Sequence, residues 1–275
     1  MKAHAVIGGG GVRLHVDEAG KRDGLPIVLI HGLSQCRLAW RKQMVSDLAR
    51  EFRLLAPDIR GHGLSDKPRD AYRDNRLWAD DLHAIITGLE LDCPVLCGWS
   101  YGGIVICDYL RVYREARIAG INFVCGVTEL DDRLLEVVGG DYPPLVPALC
   151  SDDAEVSGRG LAEFVRMCVY EEPAPEDFYC ALGYNTAVPP HVRRALIERT
   201  VDNDDVLRSI RKPVLFTHGE RDAVLLSEAS RRHAALVPHA RTSFYPESGH
   251  SPFWEAPMRF NRELREFALA AAGER

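Results

Sequence analysis

Residues 95–105 read Val-Leu-Cys-Gly-Trp-Ser-Tyr-Gly-Gly-Ile-Val. An apolar run at 94–97 meets Gly98-Trp99-Ser100-Tyr101-Gly102. A second apolar run follows at once, with helical spacing at Ile104, Val105, Tyr109 and Leu110. Strand, sharp turn, helix is the setting in which Gly-x-Ser-x-Gly presents its serine at the top of a sheet. So tight a turn holds Ser100 in a strained backbone conformation. Side chains two positions to either side would collide, so Gly98 and Gly102 fill those places. The Ser100 hydroxyl then stands at the positive end of a helix. The five-residue pattern alone is a weak signal, and its surroundings decide what it means.

Those surroundings alternate between buried strands and helices. Residues 3–7 and 12–17 suit two strands joined by the four glycines at 8–11. That loop precedes a strand and lacks a Lys-Ser/Thr ending, so it reads as a hairpin turn rather than a phosphate cradle. Pro26-Ile27-Val28-Leu29-Ile30 is continuous and apolar, as a buried parallel strand is, and it ends in His31-Gly32-Leu33-Ser34. A helix is expected over 38–50. The next strand, 52–57, runs into Asp58-Ile59-Arg60-Gly61-His62-Gly63-Leu64-Ser65. An amphipathic helix over 75–89 puts Leu77, Leu82, Ile85 and Ile86 on one face. The Ser100 strand and its helix, to about 113, and a strand over 118–125 continue the pattern.

From 127 to 211 the alternation stops. Proline pairs at 143–144 and 189–190 and short helical stretches rich in Tyr and Phe take over. Strand 213–217, helix 227–236, strand 242–245 and a C-terminal helix over 257–271 then resume it. One helical insertion of roughly 80 residues, too long for a plain loop, therefore interrupts a βαβ core.

Composition narrows the function classes. At 275 residues and 46% hydrophobic content the chain can bury a large core. The net charge is −6 with Lys and Arg scattered, which argues against nucleic acid and anionic membrane surfaces as partners. No apolar run approaches the roughly 18 residues of a bilayer span, and the glycines arrive too early for a signal peptide. Cys93, Cys97, Cys107 and Cys125, of eight cysteines, fall in or beside apolar runs. Reduced cysteine packs there as a small hydrophobe, which implies a reducing, cytoplasmic setting. Cys93 and Cys97 have neither the spacing nor the partner pair of a zinc site, and no metal is expected.

A serine hydroxyl needs a base, and the base needs an orienting group. In a parallel sheet both belong on loops at the carboxyl ends of strands. The loop after 217 carries His218-Gly219-Glu220-Arg221-Asp222, and the loop after 245 carries Glu247-Ser248-Gly249-His250-Ser251. The order Ser100, Asp222, His250 is that of the α/β-hydrolases. The chain resembles this family, in its capped esterase and cofactor-free haloperoxidase branch. The resemblance covers about 12–126 and 213–270 and rests on His31-Gly32, Asp58-x-Arg60-Gly61-His62-Gly63-x-Ser65, Gly98-x-Ser100-x-Gly102-Gly103, Gly219-x-x-Asp222 and Gly249-His250.

The resemblance implies an α/β fold: a mostly parallel eight-stranded sheet flanked by helices, with a helical cap inserted after the sixth strand. Core is expected at 1–126 and 212–275, and cap at 127–211. It implies that Ser100 attacks, that His250 relays the proton, and that Asp222 orients the imidazole. It also implies that the backbone N–H groups of Leu33 and Tyr101 form an oxyanion hole. Glu129 or Asp131 is the alternative acid. His31 and Gly32 read as shaping the oxyanion loop rather than reacting, Asp58, Arg60 and His62 as a structural loop network, with His62 a candidate for the entrance, and Glu247 as solvated. Candidate pocket residues are His31, Trp99, Tyr142, Leu145, Phe164 and Phe178, joined by Val146, Tyr170, Tyr179 and Tyr184 from the cap. Ser100 stands where haloalkane dehalogenases and epoxide hydrolases carry Asp, which argues against both activities.

The resulting expectation is a cofactor-free serine hydrolase of a small, largely apolar carboxylic ester or related acyl compound, a possible homo-oligomer. The other readings are a non-catalytic small-molecule receptor on the same fold, and a cofactor-free oxygenase or perhydrolase using the same site.

Overall fold

The apolar runs pair into one sheet. In the computed structural model, which describes residues 1–273, its strands are β1 (Lys2–Ile7), β2 (Arg13–Gly20), β3 (Leu25–Ile30), β4 (Phe52–Pro57), β5 (Val95–Trp99), β6 (Gly120–Val124), β7 (Val214–Gly219) and β8 (Arg241–Tyr245). Their order is β1-β2-β4-β3-β5-β6-β7-β8. β2 is antiparallel to both β1 and β4, and every other pairing is parallel. This is the expected eight-stranded, mostly parallel sheet.

Strand side chains alternate between two cores, as the pleat requires. Val28, Ile30, Leu96, Ile121 and Phe123 face one side, against α3 (Asn75–Gly88) and α4 (Gly102–Tyr113). Ile27, Leu29, Val95, Cys97 and Leu215 face the other, against Trp40, Phe253 and a long C-terminal helix. Both faces are covered, which is why these strands read as unbroken apolar runs.

The helix expected over 38–50 is broken. A 3₁₀ turn (Arg37–Trp40), α1 (Arg41–Met44) and α2 (Leu48–Glu51) stand in its place. Ser46 causes the break: its hydroxyl donates to Gln43 O at 2.7 Å and accepts from Leu48 N–H at 3.2 Å, offering the backbone a turn instead of a helix. The glycine loop is a hairpin turn, with Gly8 N–H donating to Val12 O at 2.8 Å. Gly9 N–H donates to Asp81 Oδ1 at 2.9 Å, so the turn is also pinned to α3.

Between β6 and β7 lie five helices: α5 (Tyr142–Leu149), α6 (Ala154–Met167), α7 (Pro175–Thr186), α8 (Pro190–Ile197) and α9 (Asp204–Ser209). They carry a small core of their own around Leu145, Leu149, Leu161 and Phe164. A bridge between Leu130 and Val201 joins the two crossings of this segment. A buried ion pair, Arg199 Nη2 to Asp108 Oδ2 at 2.7 Å, ties it to α4. The chain ends with α10 (Glu228–Leu236), α11 (Pro252–Glu255) and α12 (Pro257–Gly273). Residues 274 and 275 of the expected core segment lie outside the described residues.

Cys97, Cys107 and Cys125 are buried free thiols, and Cys93 is half-buried. No helix among the described residues is long and apolar enough to cross a membrane.

Candidate active site

Ser100 sits between β5 and α4 with φ of 53°, in the left-handed region that L residues avoid. The turn holds it there: Ser100 N–H donates to Val124 O at 2.9 Å, and its carbonyl accepts from Gly103 and Val127 N–H at 2.9 and 3.0 Å. The flanking glycines are steric necessities. A Cβ on Gly98 would stand 2.7 Å from Gly102 O, and one on Gly102 would stand 2.7 Å from Ile30 O.

Asp222 and His250 come together from the loops after β7 and β8. His250 Nδ1 lies 2.6 Å from Asp222 Oδ2. The other oxygen, Oδ1, accepts the N–H groups of Val224 and Leu225 at 2.8 and 2.9 Å. Burial pushes the Asp222 carboxyl up, but the attraction of His250 and the hydrogen bonds of His218 and His250 outweigh it and hold it below the ordinary carboxylate range. His250 Nε2 is buried and has no hydrogen-bond partner among the described residues. No bond joins it to Ser100 Oγ in this conformation; such bonds are often long without substrate and tighten when it binds.

The N–H groups of Leu33 and Tyr101 donate to no acceptor among the described residues. Tyr101 precedes the first turn of α4. Leu33 is held by two histidines beneath its loop. His31 donates Nδ1–H to Gly32 O at 2.8 Å and accepts Ile59 N–H at 3.1 Å. His62 donates Nδ1–H to Arg60 O at 2.9 Å and accepts Ser34 N–H at 3.2 Å. Burial lowers their pKa values to about 4 and about 3, so both are neutral clamps at neutral pH.

Asp58 completes the network, accepting Arg37 N–H at 2.7 Å, Leu64 N–H at 2.8 Å and the Arg37 guanidinium at 2.9 Å. Arg60 is fully buried on Asp81. His31 thus lies beneath the site and not on a pocket wall, and fully buried His62 is not at the entrance.

A cleft of about 610 Å³ opens on Ser100, Leu33 and Tyr101. Of the expected pocket residues, Tyr142, Phe164 and Val146 line it. Val224 and Leu225, whose N–H groups hold Asp222, also line it. Leu145 does not: it packs in the core of the helical segment. Trp99, Phe178 and Tyr184 line a separate cavity of about 40 Å³, together with Gln35 and Ser251. Trp99 cannot reach the large cleft because its side chain lies on the other core, with Nε1–H donating to His250 O at 2.7 Å. Tyr170 and Tyr179 are largely exposed, at 49% and 68%.

Neither alternative acid meets His250. Glu129 pairs with His233 at 2.8 Å and accepts the Thr128 hydroxyl at 2.7 Å. Burial raises its pKa, and the His233 and Thr128 bonds bring it down to about 2. Asp131 binds Arg133 at 2.7 Å. Glu247 is exposed.

Two residues at the site carry no motif that would single them out. His218 Nε2 is 3.1 Å from Asp222 Oδ2. Glu255 accepts Gly249 N–H at 2.8 Å and Tyr170 N–H at 2.6 Å, joining the His250 loop to the helical segment. Cys125 is close as well: its Sγ, an Asp222 oxygen and a His250 nitrogen lie within 4.8 Å of one another. Burial drives its thiol well above the ordinary range, so it stays protonated beside the Asp222–His250 pair.

A model described as the alpha/beta hydrolase family matches residues 27–263. A solved structure from Burkholderia cenocepacia, described provisionally as an aryl esterase, superposes with a TM-score of 0.94. It is 37% identical and covers 99% of this chain and 100% of its own. The 2-hydroxy-6-oxo-2,4-heptadienoate hydrolase of Pseudomonas putida is 27% identical over 95% of this chain and 94% of its own. A non-heme chloroperoxidase of Streptomyces lividans is 28% identical over 94% and 96%.

Proposed function

Since the chain belongs to the alpha/beta hydrolase family and is a hydrolase by its relatives, we propose that it cleaves small carboxylic esters through an acyl-serine intermediate. The observation that carries this reading is the convergence on one cleft. Ser100, on its left-handed turn, and the two uncommitted N–H groups of Leu33 and Tyr101 open on the same 610 Å³ space. The Asp222–His250 pair lies behind it, in loops on the same edge of the sheet.

In this reading His250 Nε2 takes the Ser100 proton as Oγ attacks the ester carbonyl carbon. The oxyanion of the tetrahedral adduct accepts the Leu33 and Tyr101 N–H groups, each donor typically worth about 3 kcal/mol of barrier. The adduct collapses, the C–O bond to the alcohol breaks, and His250 returns the proton to the departing oxygen. Water, deprotonated by His250, then attacks the acyl carbon, and the carboxylic acid leaves with Ser100 Oγ reprotonated. Asp222 stays ionised throughout, holding Nδ1–H and stabilising the charged imidazolium. None of these steps requires a metal or organic cofactor.

The test is intact-protein mass spectrometry during turnover of p-nitrophenyl esters of increasing acyl length. A transient acyl adduct on the native enzyme, absent in Ser100→Ala, supports the reading. Tight ligand binding without adduct or nitrophenol release would favour a receptor, and turnover with oxygen uptake in Ser100→Ala would favour a base-only oxygenase.

A further inference from the structure

Resting on the ester-hydrolase reading, we infer that the cleft selects acyl groups without negative charge: its rim carries unneutralised carboxylates and its walls carry no cation. The walls are largely apolar, with Leu130, Leu134, Val138, Val146, Phe164 and Leu225 among them, and carry the hydroxyls of Tyr142 and Thr200. No Lys, Arg or His lines the cleft among the described residues, whereas Asp131 and Asp132 both do.

Two separate physical effects act on a substrate carboxylate here. The first is desolvation. An anion entering this largely apolar wall loses its water and meets no cation in return, only neutral hydroxyls such as those of Tyr142 and Thr200, and a carboxylate is among the costliest groups to strip of its hydration. The second is repulsion at the rim. Asp132 is exposed and has no ion pair or hydrogen bond among the described residues. Asp131 has Arg133, but that guanidinium is shared: it lies 2.7 Å from Asp131, 2.9 Å from Asp202 and 3.1 Å from Asp204. Arg208 adds a second cation, 3.3 Å from Asp204, but two cations among four carboxylates still leave the entrance net negative. Like charges at such a mouth act on both encounter and binding.

The consequence separates this chain from a relative of similar length. That relative is named for a substrate, 2-hydroxy-6-oxo-2,4-heptadienoate, that is a carboxylate. Such a substrate calls for a cation where its carboxylate would sit, and this cleft offers none. The substrate class assigned to this chain is accordingly esters whose acyl part is apolar and uncharged, aryl or alkyl.

The experiment compares three p-nitrophenyl esters of matched acyl length on the native enzyme: one ending in methyl, one in carboxylate and one in trimethylammonium. The expected result is a kcat/KM for the carboxylate ester about tenfold or more below the methyl ester. The trimethylammonium ester should suffer less than the carboxylate one, and raising ionic strength should narrow the gap. Asp132→Lys should raise the carboxylate-to-methyl ratio several-fold. A carboxylate ester turned over within about threefold of its methyl counterpart overturns the inference, as does a ratio unmoved in Asp132→Lys. If none of the three esters forms an adduct at Ser100, the ester reading itself fails and this inference with it.

Discussion

His218 Nε2 lies 3.1 Å from Asp222 Oδ2, the same oxygen that His250 Nδ1 approaches at 2.6 Å. His218 Nε2 is also 2.8 Å from Leu225 O, so with acceptors on both sides that nitrogen carries its proton. Its Nδ1 meets the Ser230 hydroxyl at 2.7 Å. With the N–H groups of Val224 and Leu225 on Oδ1, every face of the Asp222 carboxylate has a donor. In the proposed mechanism His218 is therefore a positioning residue: it fixes the carboxylate that fixes the base. Such outer hydrogen bonds typically affect activity by about tenfold or more. His218→Phe should lower kcat by about that factor with KM within about threefold of native. His218→Gln, which keeps a donor, should recover part of the loss. A change confined to KM would show that His218 does not act through Asp222.

Asp222→Asn tests the pair directly. The amide keeps the size but can present its N–H to His250 Nδ1, which favours the wrong tautomer. In the serine-protease triad the equivalent change lowers kcat by about four orders of magnitude. A loss of at least about a thousandfold in ester turnover is expected here, with far-ultraviolet circular dichroism unchanged. A loss below about tenfold would mean that another carboxylate orients the base.

Gly32 touches Ser100, the proposed nucleophile. A Cβ there would stand 2.9 Å from Ser100 Cβ and 3.3 Å from Trp99 O. Neither neighbour yields easily, because Ser100 is locked in its turn and Trp99 O belongs to β5. The loop bearing Leu33 must move instead, taking one proposed oxyanion donor with it. Gly32→Ala should cost about 10- to 1,000-fold in kcat, in line with loss of one such donor. The thermal midpoint should fall by only a few degrees. Unchanged kcat would show that the hole tolerates displacement of Leu33.

The strands were legible because each buried parallel strand is an unbroken apolar run that ends in a loop of small and polar residues. Ser100, Asp222 and His250 could be picked out as candidates for the same reason: chemistry in an open sheet belongs at those carboxyl ends. The side chains of the helical segment were not legible. Leu145 and Val146 are adjacent on α5, yet one is buried in the segment's own core and the other lines the cleft. Which way α5 faces is set by its packing on α6 and by the whole helical segment, and apolar spacing cannot choose between two apolar destinations. His31 carried two expectations, and only one holds. It shapes the proposed oxyanion loop, and because both ring nitrogens are consumed in doing so it is not a pocket residue. His218 and Glu255 left no sequence signal, since their roles come from loops that meet only in the fold.

The two histidine clamps set an acid limit on stability. His31 and His62 are buried and neutral, with pKa values lowered from 6.5 to about 4 and about 3. Below about pH 6.5 the unfolded chain binds protons at both positions that the folded chain refuses. Their contribution is therefore fully present above that pH and is lost as pH falls from about 6.5 towards 4 and 3. At about 1.4 kcal/mol per pK unit for each group, the loss between pH 7 and pH 5 is on the order of 3 kcal/mol. That is a large share of the roughly 5–15 kcal/mol that holds a typical domain together. Urea unfolding at pH 7, 6 and 5 should show the fall, and His62→Gln, which cannot titrate, should flatten about half of it. Because the same rings hold the Leu33 loop, activity and stability should decline together on acidification. A flat unfolding free energy from pH 7 to 5 would mean that the loop takes in these protons without opening.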